Sequence, residues 1–214
     1  MKLGGAIQQS TKGLFQMQNY IRTILVTLAL ILPTQSRADY IPPGYEWIGR
    51  FDGRIAGARY RLFSAANARD EISDLYYTND YDQNSGVTNK VYTVQASVML
   101  DQQAEYVNPT ISIEFKRIRG SSRMKPLRVF LIDDTWDLPM AADPAFGFGE
   151  FAIRNLRFSP TEGKIQFEIS ATLVRIDMNN YAEVPHAGTI RVTGNFEGTF
   201  PAFALQNPRI FGDY

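Results

Sequence analysis

The chain has 214 residues, with 22 basic and 22 acidic side chains, one histidine and no cysteine. The balanced charge leaves no electrostatic footprint for nucleic acid or an anionic membrane surface. The missing cysteine excludes disulfides, thiolate metal sites, cysteine nucleophiles and a cysteine-linked lipid anchor, and the lone His186 excludes a multi-histidine zinc site.

Residues 1–38 read as an address for export. Lys2, Lys12 and Arg22 make a basic leader with no acid before Asp39, and the run "ILVTLALIL" at 24–32 has the length of a signal-peptide core. It is too short to span a bilayer. Pro33 breaks it, and Ser36 and Ala38 supply the small residues of a cleavage site. Removal of 1–38, with Lys2, Lys12, Arg22 and Arg37, leaves 176 residues carrying 18 basic and 22 acidic groups, a net charge of −4. That length suits one domain, 39–214, with its own core. An exported body without disulfides points to a bacterial periplasmic or secreted protein, because eukaryotic secreted domains more often use disulfides. No later apolar run is long enough for a transmembrane helix.

Along the body, alternation of apolar and polar residues dominates. Residues 49–63 open it as a strand. Ser64 offers an N-cap to a short helix over 65–77, with Ala68, Ile72, Leu75 and Tyr76 on one stripe, against an ordered loop as the alternative. Residues 79–86, "NDYDQNSG", read as an Asx-rich turn. Residues 91–100 and 110–119 are strands, the second placing Ile111, Ile113 and Phe115 opposite Ser112, Glu114 and Lys116. Residues 127–132 are apolar on both faces and are expected at the centre of the domain. Residues 151–158 and 165–177 form a hairpin about Thr161-Glu162-Gly163. In 189–200, Ile190, Val192, Phe196 and Phe200 share a face with Gly194 and Gly198, which mark a bend, a bulge or a close approach. Residues 207–214 are left as a tail or a last edge strand.

Strands at this spacing, without strand–helix alternation, predict a mainly β fold. The architecture is an antiparallel β-sandwich, or a closed or partly open barrel, with at most one short helix.

Chemistry is sparse. His186 has no Gly-x-Ser-x-Gly nucleophile elbow to serve. Glu114 and Glu168 are mid-strand carboxylates of the kind a glycoside hydrolase pairs, but each lies on a polar strand face, and solvation explains them as well. Asp80, Asp82 and Asn84 stand at the spacing that presents three oxygens to calcium at the start of an EF-hand. The glycine and the terminal glutamate of that motif are out of place, so a complete hand is excluded, and calcium is the sole cofactor considered.

A ligand platform is the remaining option. Trp136 lies among Asp133, Asp134 and Asp137, and Tyr76, Tyr77 and Tyr81 flank the acidic turn. Aromatic rings with carboxylates suit a glycan or a protein partner, and equally suit a lid on the core of a β domain. The reading is thus an exported, noncatalytic β domain acting as a binding or assembly module for a protein partner or an envelope glycan, through loops or an unpaired sheet edge. A hydrolase using two carboxylates and a small outer-membrane barrel are the alternatives. The oligomeric state is not legible.

Overall fold

The computed structural model describes residues 41–82, 86–100, 106–117, 123–133 and 138–209, with 82, 99, 100 and 106–108 described by their backbone alone. The chain is mainly β. In order come β1 (Glu46–Ile55), β2 (Ala58–Asn67), β3 (Ile72–Ser73), β4 (Leu75–Asp82), β5 (Val87–Leu100) and β6 (Tyr106–Arg117). Then follow β7 (Met124–Ile132), β8 (Met140–Ala142), β9 (Glu150–Phe158), β10 (Lys164–Asp177), β11 (Ala182–Glu183), β12 (Thr189–Thr199) and one short helix, α1 (Ala202–Gln206). All pair in a single sheet of order β3-β2-β1-β12-β10-β8-β7-β6-β5-β4, with β9 and β11 also lying on β10. Every ladder is antiparallel. A pairing of Phe63 on β2 with Ser97 on β5 brings the sheet round on itself, giving the partly open barrel.

The inner face is apolar throughout. Ile165, Phe167, Ile169, Ala171 and Leu173 of β10 are buried in alternation, and they meet Leu62, Val94, Ile111, Ile113, Val129 and Leu131 from other strands. Burial of these side chains is the main favourable term in a chain without disulfides.

The wall of β1 and β12 shows what the glycines are for. Gly49 pairs with Gly198, Phe51 with Phe196, and Gly53 with Gly194. A Cβ on Gly194 would lie 2.5 Å from the Phe51 ring, and one on Gly49 would lie 2.8 Å from the Phe196 ring. Each ring is therefore laid along a glycine pair on the inner face. The missing side chains make the space that two large rings fill, so the apolar-face glycines mark a close approach.

The helix expected over 65–77 is absent. β2 runs through Ser64, Ala65 and Ala66 to Asn67, and a turn at 68–71 leads into β3 and β4. The reason lies in the barrel closure. Buried Ser64 donates its hydroxyl to the carbonyl of Gln95 on β5. Buried Asp74 accepts from the Ala65 amide at 2.6 Å and, through its own carbonyl, from the Gln95 amide at 3.0 Å. Ser64 thus ties β2 to β5 and caps nothing. The strand expected over 49–63 is in fact two, split by Ala56 and Gly57. Both have positive φ, 51° and 84°, as the two-residue turn that matches strand twist requires. The expected turn at 79–86 is shorter, because β4 continues through Asp82. The hairpin between β9 and β10 forms as expected, with Gly163 at φ 70°. Of the tail, α1 and Arg209 are described, and the Arg209 amide donates to Tyr77 O at 2.8 Å.

Candidate functional site

Those of the residues singled out from the sequence that the structure describes do not assemble in one place. Asp133 directly follows β7, and its carboxylate receives both ends of the Arg175 guanidinium, at 3.1 and 2.8 Å. This half-buried fork supplies the cation that an acid at the end of a buried strand requires. Trp136, Asp134 and Asp137 lie outside the described residues. Tyr76, Tyr77 and Tyr81 stand on β4, not on a loop. Tyr77 points into the core, stacks on Tyr92 and donates its hydroxyl to Gln206 O at 3.1 Å. Tyr76 points to the other face, with the Arg209 guanidinium 4.6 Å over its ring. Burial pushes the Tyr76 phenol above its ordinary value of 10.0, against the opposing effects of Thr93 and Arg209. Tyr81 is 61% exposed. It pairs with Thr88, whereas the end of β7 lies level with Ser97 through Thr110. Nine residues of extended β5 thus separate Tyr81 from the level of Asp133, about 30 Å.

Asp80 and Asp82 lie in β4, paired with Asn89 and Val87, while Asn84 lies outside the described residues. The first two proposed calcium ligands therefore belong to a strand. Among the described residues no cluster of three metal-ligating groups occurs. His186 sits exposed in a turn at φ 61°.

The two carboxylates proposed for hydrolysis are each held by a partner. Glu114 takes a two-point fork from Arg128 at 2.8 and 3.1 Å, and Glu168 accepts from Asn155 at 2.8 Å. Their strands, β6 and β10, are separated in the sheet by β7 and β8. Burial works to lower the affinity of Arg128 for its proton, but Glu114 outweighs it and the guanidinium is held more firmly cationic than usual. The network runs on, since Arg128 reaches the Tyr181 hydroxyl at 3.4 Å and that hydroxyl donates to buried Asp143 at 2.9 Å. Above it, Phe146 packs edge-on to Tyr181 at 4.6 Å while remaining 63% exposed.

A different place stands open. β10 carries two neighbours on one side: β8 beside Val174 and Arg175, and β9 beside residues 165–172. β7 pairs with β8 through Val129–Leu131 but makes no ladder with β9. Among the described residues β9 therefore has one paired edge and one unpaired edge, and the wall is split between it and the first half of β7. Two features keep the edges apart. Pro126 on β7 lacks an N–H to donate, and Asn155 at φ 52° forms a bulge, so that Arg157 pairs with Gln166 but Arg154 pairs with Glu168. The bulge also keeps the inward side chains in phase: Phe151 and Ile153 before it, Leu156 and Phe158 after it, all packed on the core. All four are only half-buried, and no residue of β9 is fully buried. The core shows through the split.

A cleft of about 590 Å³ occupies the split, lined by Met124, Pro126, Leu156 and Phe158 with the cations Arg123, Lys125 and Arg157. A second, of about 620 Å³, adjoins it through the shared Arg157 and Phe158 and reaches Trp47 and Phe63, whose rings lie 4.9 Å apart. On the outer face of the split, Lys125 stands directly opposite Lys116 on one side, and Arg154 and Arg157 project from β9 on the other. No ion pair engages any of these four among the described residues. Sequence reasoning missed this site. The one trace it leaves is the slip of phase in "EFAIRNLRF", where Arg154 and Asn155 interrupt the alternation.

Comparison with known protein families, with curated proteins and with solved structures finds no match to this chain.

Proposed function

We propose that this chain is an exported, noncatalytic β domain that serves as a binding or assembly module, and that its partner lies along the open edge of β9. The observation that carries this is the edge itself: a nine-residue strand with one side unpaired among the described residues and its inward apolar residues only half-buried. An unpaired edge beside exposed apolar surface is a place where another chain or polymer gains backbone hydrogen bonds and apolar burial together. The Arg128 fork on Glu114, the Asn155 amide on Glu168 and the two strands that separate these carboxylates favour binding over hydrolysis.

The polarity of the wall favours a water-facing domain over a membrane-spanning barrel. Across five strands the outward positions form rows such as Arg61, Asp52, Asn195, Glu168 and Arg154. The inward positions are Phe, Ile, Leu and Val. A lipid-facing barrel has the reverse arrangement.

A photoreactive side chain placed at Arg157 in the native host tests the reading. The same group at exposed Arg59, on β2, is the control. Adducts that form at 157 and not at 59 are expected. Equal labelling, or none at 157, overturns it. Export is tested by fractionation, with the chain expected to appear shortened by residues 1–38 outside the cytoplasm.

A further inference from the structure

The register of the split wall limits what fits in it. A strand laid against β9 would present its side chains alternately inward and outward, in phase with those of its neighbour. Its inward side chains would meet the half-buried Leu156 and Phe158 and the buried Met124 that line the cleft. Its outward side chains would lie between Lys116 and Lys125 on one flank and Arg154 and Arg157 on the other. Like charges directly opposite each other are unfavourable, and the Lys116–Lys125 pair has no acid to relieve it among the described residues.

The charge extends beyond the split. Together the two adjoining clefts are lined by Arg50, Arg123, Lys125, Arg157 and Lys164 against the single carboxylate Glu197. Arg50 and Lys164 already hold exposed acids, at 2.6 Å to Asp52 and 3.2 Å to Glu162, so the field left at the split is that of Lys125 and Arg157. In a chain of net charge zero this concentration is local.

We infer that the occupant of the split is an extended peptide segment of a protein partner, alternating acidic and apolar residues, which adds a strand to β9. This rests on the reading that β9 is the binding edge, and it names the partner's chemistry. A peptide is favoured over an acidic glycan because the edge offers a row of backbone donors and acceptors at strand spacing, and because the inward half of the site is apolar. Antiparallel geometry leaves about four residues of a nine-residue strand with both N–H and C=O free on the unpaired side. A sugar polymer has no backbone amides to match them.

The test uses the isotopically labelled, purified chain and four probes: an alternating Glu/Val peptide, a block-ordered peptide of the same composition, an alternating Lys/Val peptide and a polygalacturonate oligomer. The alternating Glu/Val peptide is expected to shift and protect amides of β9, and to bind at least about tenfold more tightly than the other three. The double reversal Lys125→Glu with Arg157→Glu, at two exposed positions, is expected to invert the preference to Lys/Val. Equal binding of the block-ordered peptide overturns the inference, since charge alone would then suffice. Polygalacturonate binding in place of the peptide overturns it as well, while leaving β9 as the binding edge. Failure of every probe to shift β9 amides also overturns it. The edge reading itself stands or falls on the crosslinking contrast between positions 157 and 59.

Discussion

β10 makes its two sides differently, and the contrast explains how the molecule divides its labour. Toward β12 it pairs over eleven consecutive positions without interruption, from Lys164 with Thr199 to Val174 with Thr189. Toward the other side its partners are β9, with a bulge, and the three-residue β8. The first side backs onto the Phe51 and Phe196 rings laid along their glycine pairs, and Val192 and Phe196 are buried. On the second side no residue of β9 is fully buried. The first wall is laddered and filled, and the second, the proposed receiving wall, is short of both. Low local stability is what a receiving edge requires.

The largest test of this contrast is a pair of truncations. Phe196→Ala, in the filled wall, is expected to cost about 3–5 kcal/mol of unfolding free energy. Leu156→Ala, at the split, should cost about 1–2 kcal/mol, because much of its surface is already wet. Urea melts of the two variants check this, and equal losses would erase the contrast. Next comes Gly194→Ala, whose Cβ would lie 2.5 Å from the Phe51 ring and 2.7 Å from Asp52 O. The clash is expected to cost about 1–3 kcal/mol although only a methyl group is added. An unchanged melting point would show that the rings can give way.

Asp74→Ala is expected to fall in a similar range, about 1–3 kcal/mol, by leaving the Ala65 amide without its acceptor. Its effect on amide exchange should be greatest where β2 meets β5, at Ala65 and Gln95. Ala56→Gly should act in the opposite direction, by about 0.5–1 kcal/mol, because alanine is strained at φ 51°. The smallest effect is alkaline. The Tyr76 phenol is raised above 10.0 by burial, so it keeps its proton in the fold at pH values where the unfolded chain has lost it. That contribution is complete below about pH 10 and is lost as pH rises through the folded value. Stability should therefore decline more gently above pH 10 in Tyr76→Phe, as measured by denaturant titration at stepped pH.

Much of the fold was legible because period-two patterning reports which face is buried. β10 and β12 follow it, as does β9 on either side of its slip at Arg154 and Asn155, and the Thr161-Glu162-Gly163 turn fixes one hairpin. The Ala56-Gly57 turn was missed because alanine gives no turn signal, although the backbone forces it to positive φ. Ser64 resembled a helix cap because a hydroxyl before a small-residue run looks the same whether it caps a helix or bridges two strands. Its acceptor, Gln95, is thirty-one residues away. The surroundings of the candidate residues were hidden for a related reason: neither the forty-two residues that separate Asp133 from Arg175 nor the placement of Tyr76 and Tyr77 on opposite faces of β4 shows in composition. Of the open edge the sequence shows only the slip of phase at Arg154 and Asn155, since a missing neighbour is a property of topology.

The closure of the barrel has a mechanical consequence. β2 and β5 are joined by one residue pair and the Ser64 and Asp74 contacts, and β7 and β9 by no ladder. These two lines divide the ring into an arc of β2, β1, β12, β10 and β9 and an arc of β4, β5, β6 and β7, bridged by β8. Each arc is continuously laddered within itself. Force or heat would therefore part the shell along its seams before it frayed any arc, as a pod opens along its sutures. The short strand β8 would be the last thread holding the valves together.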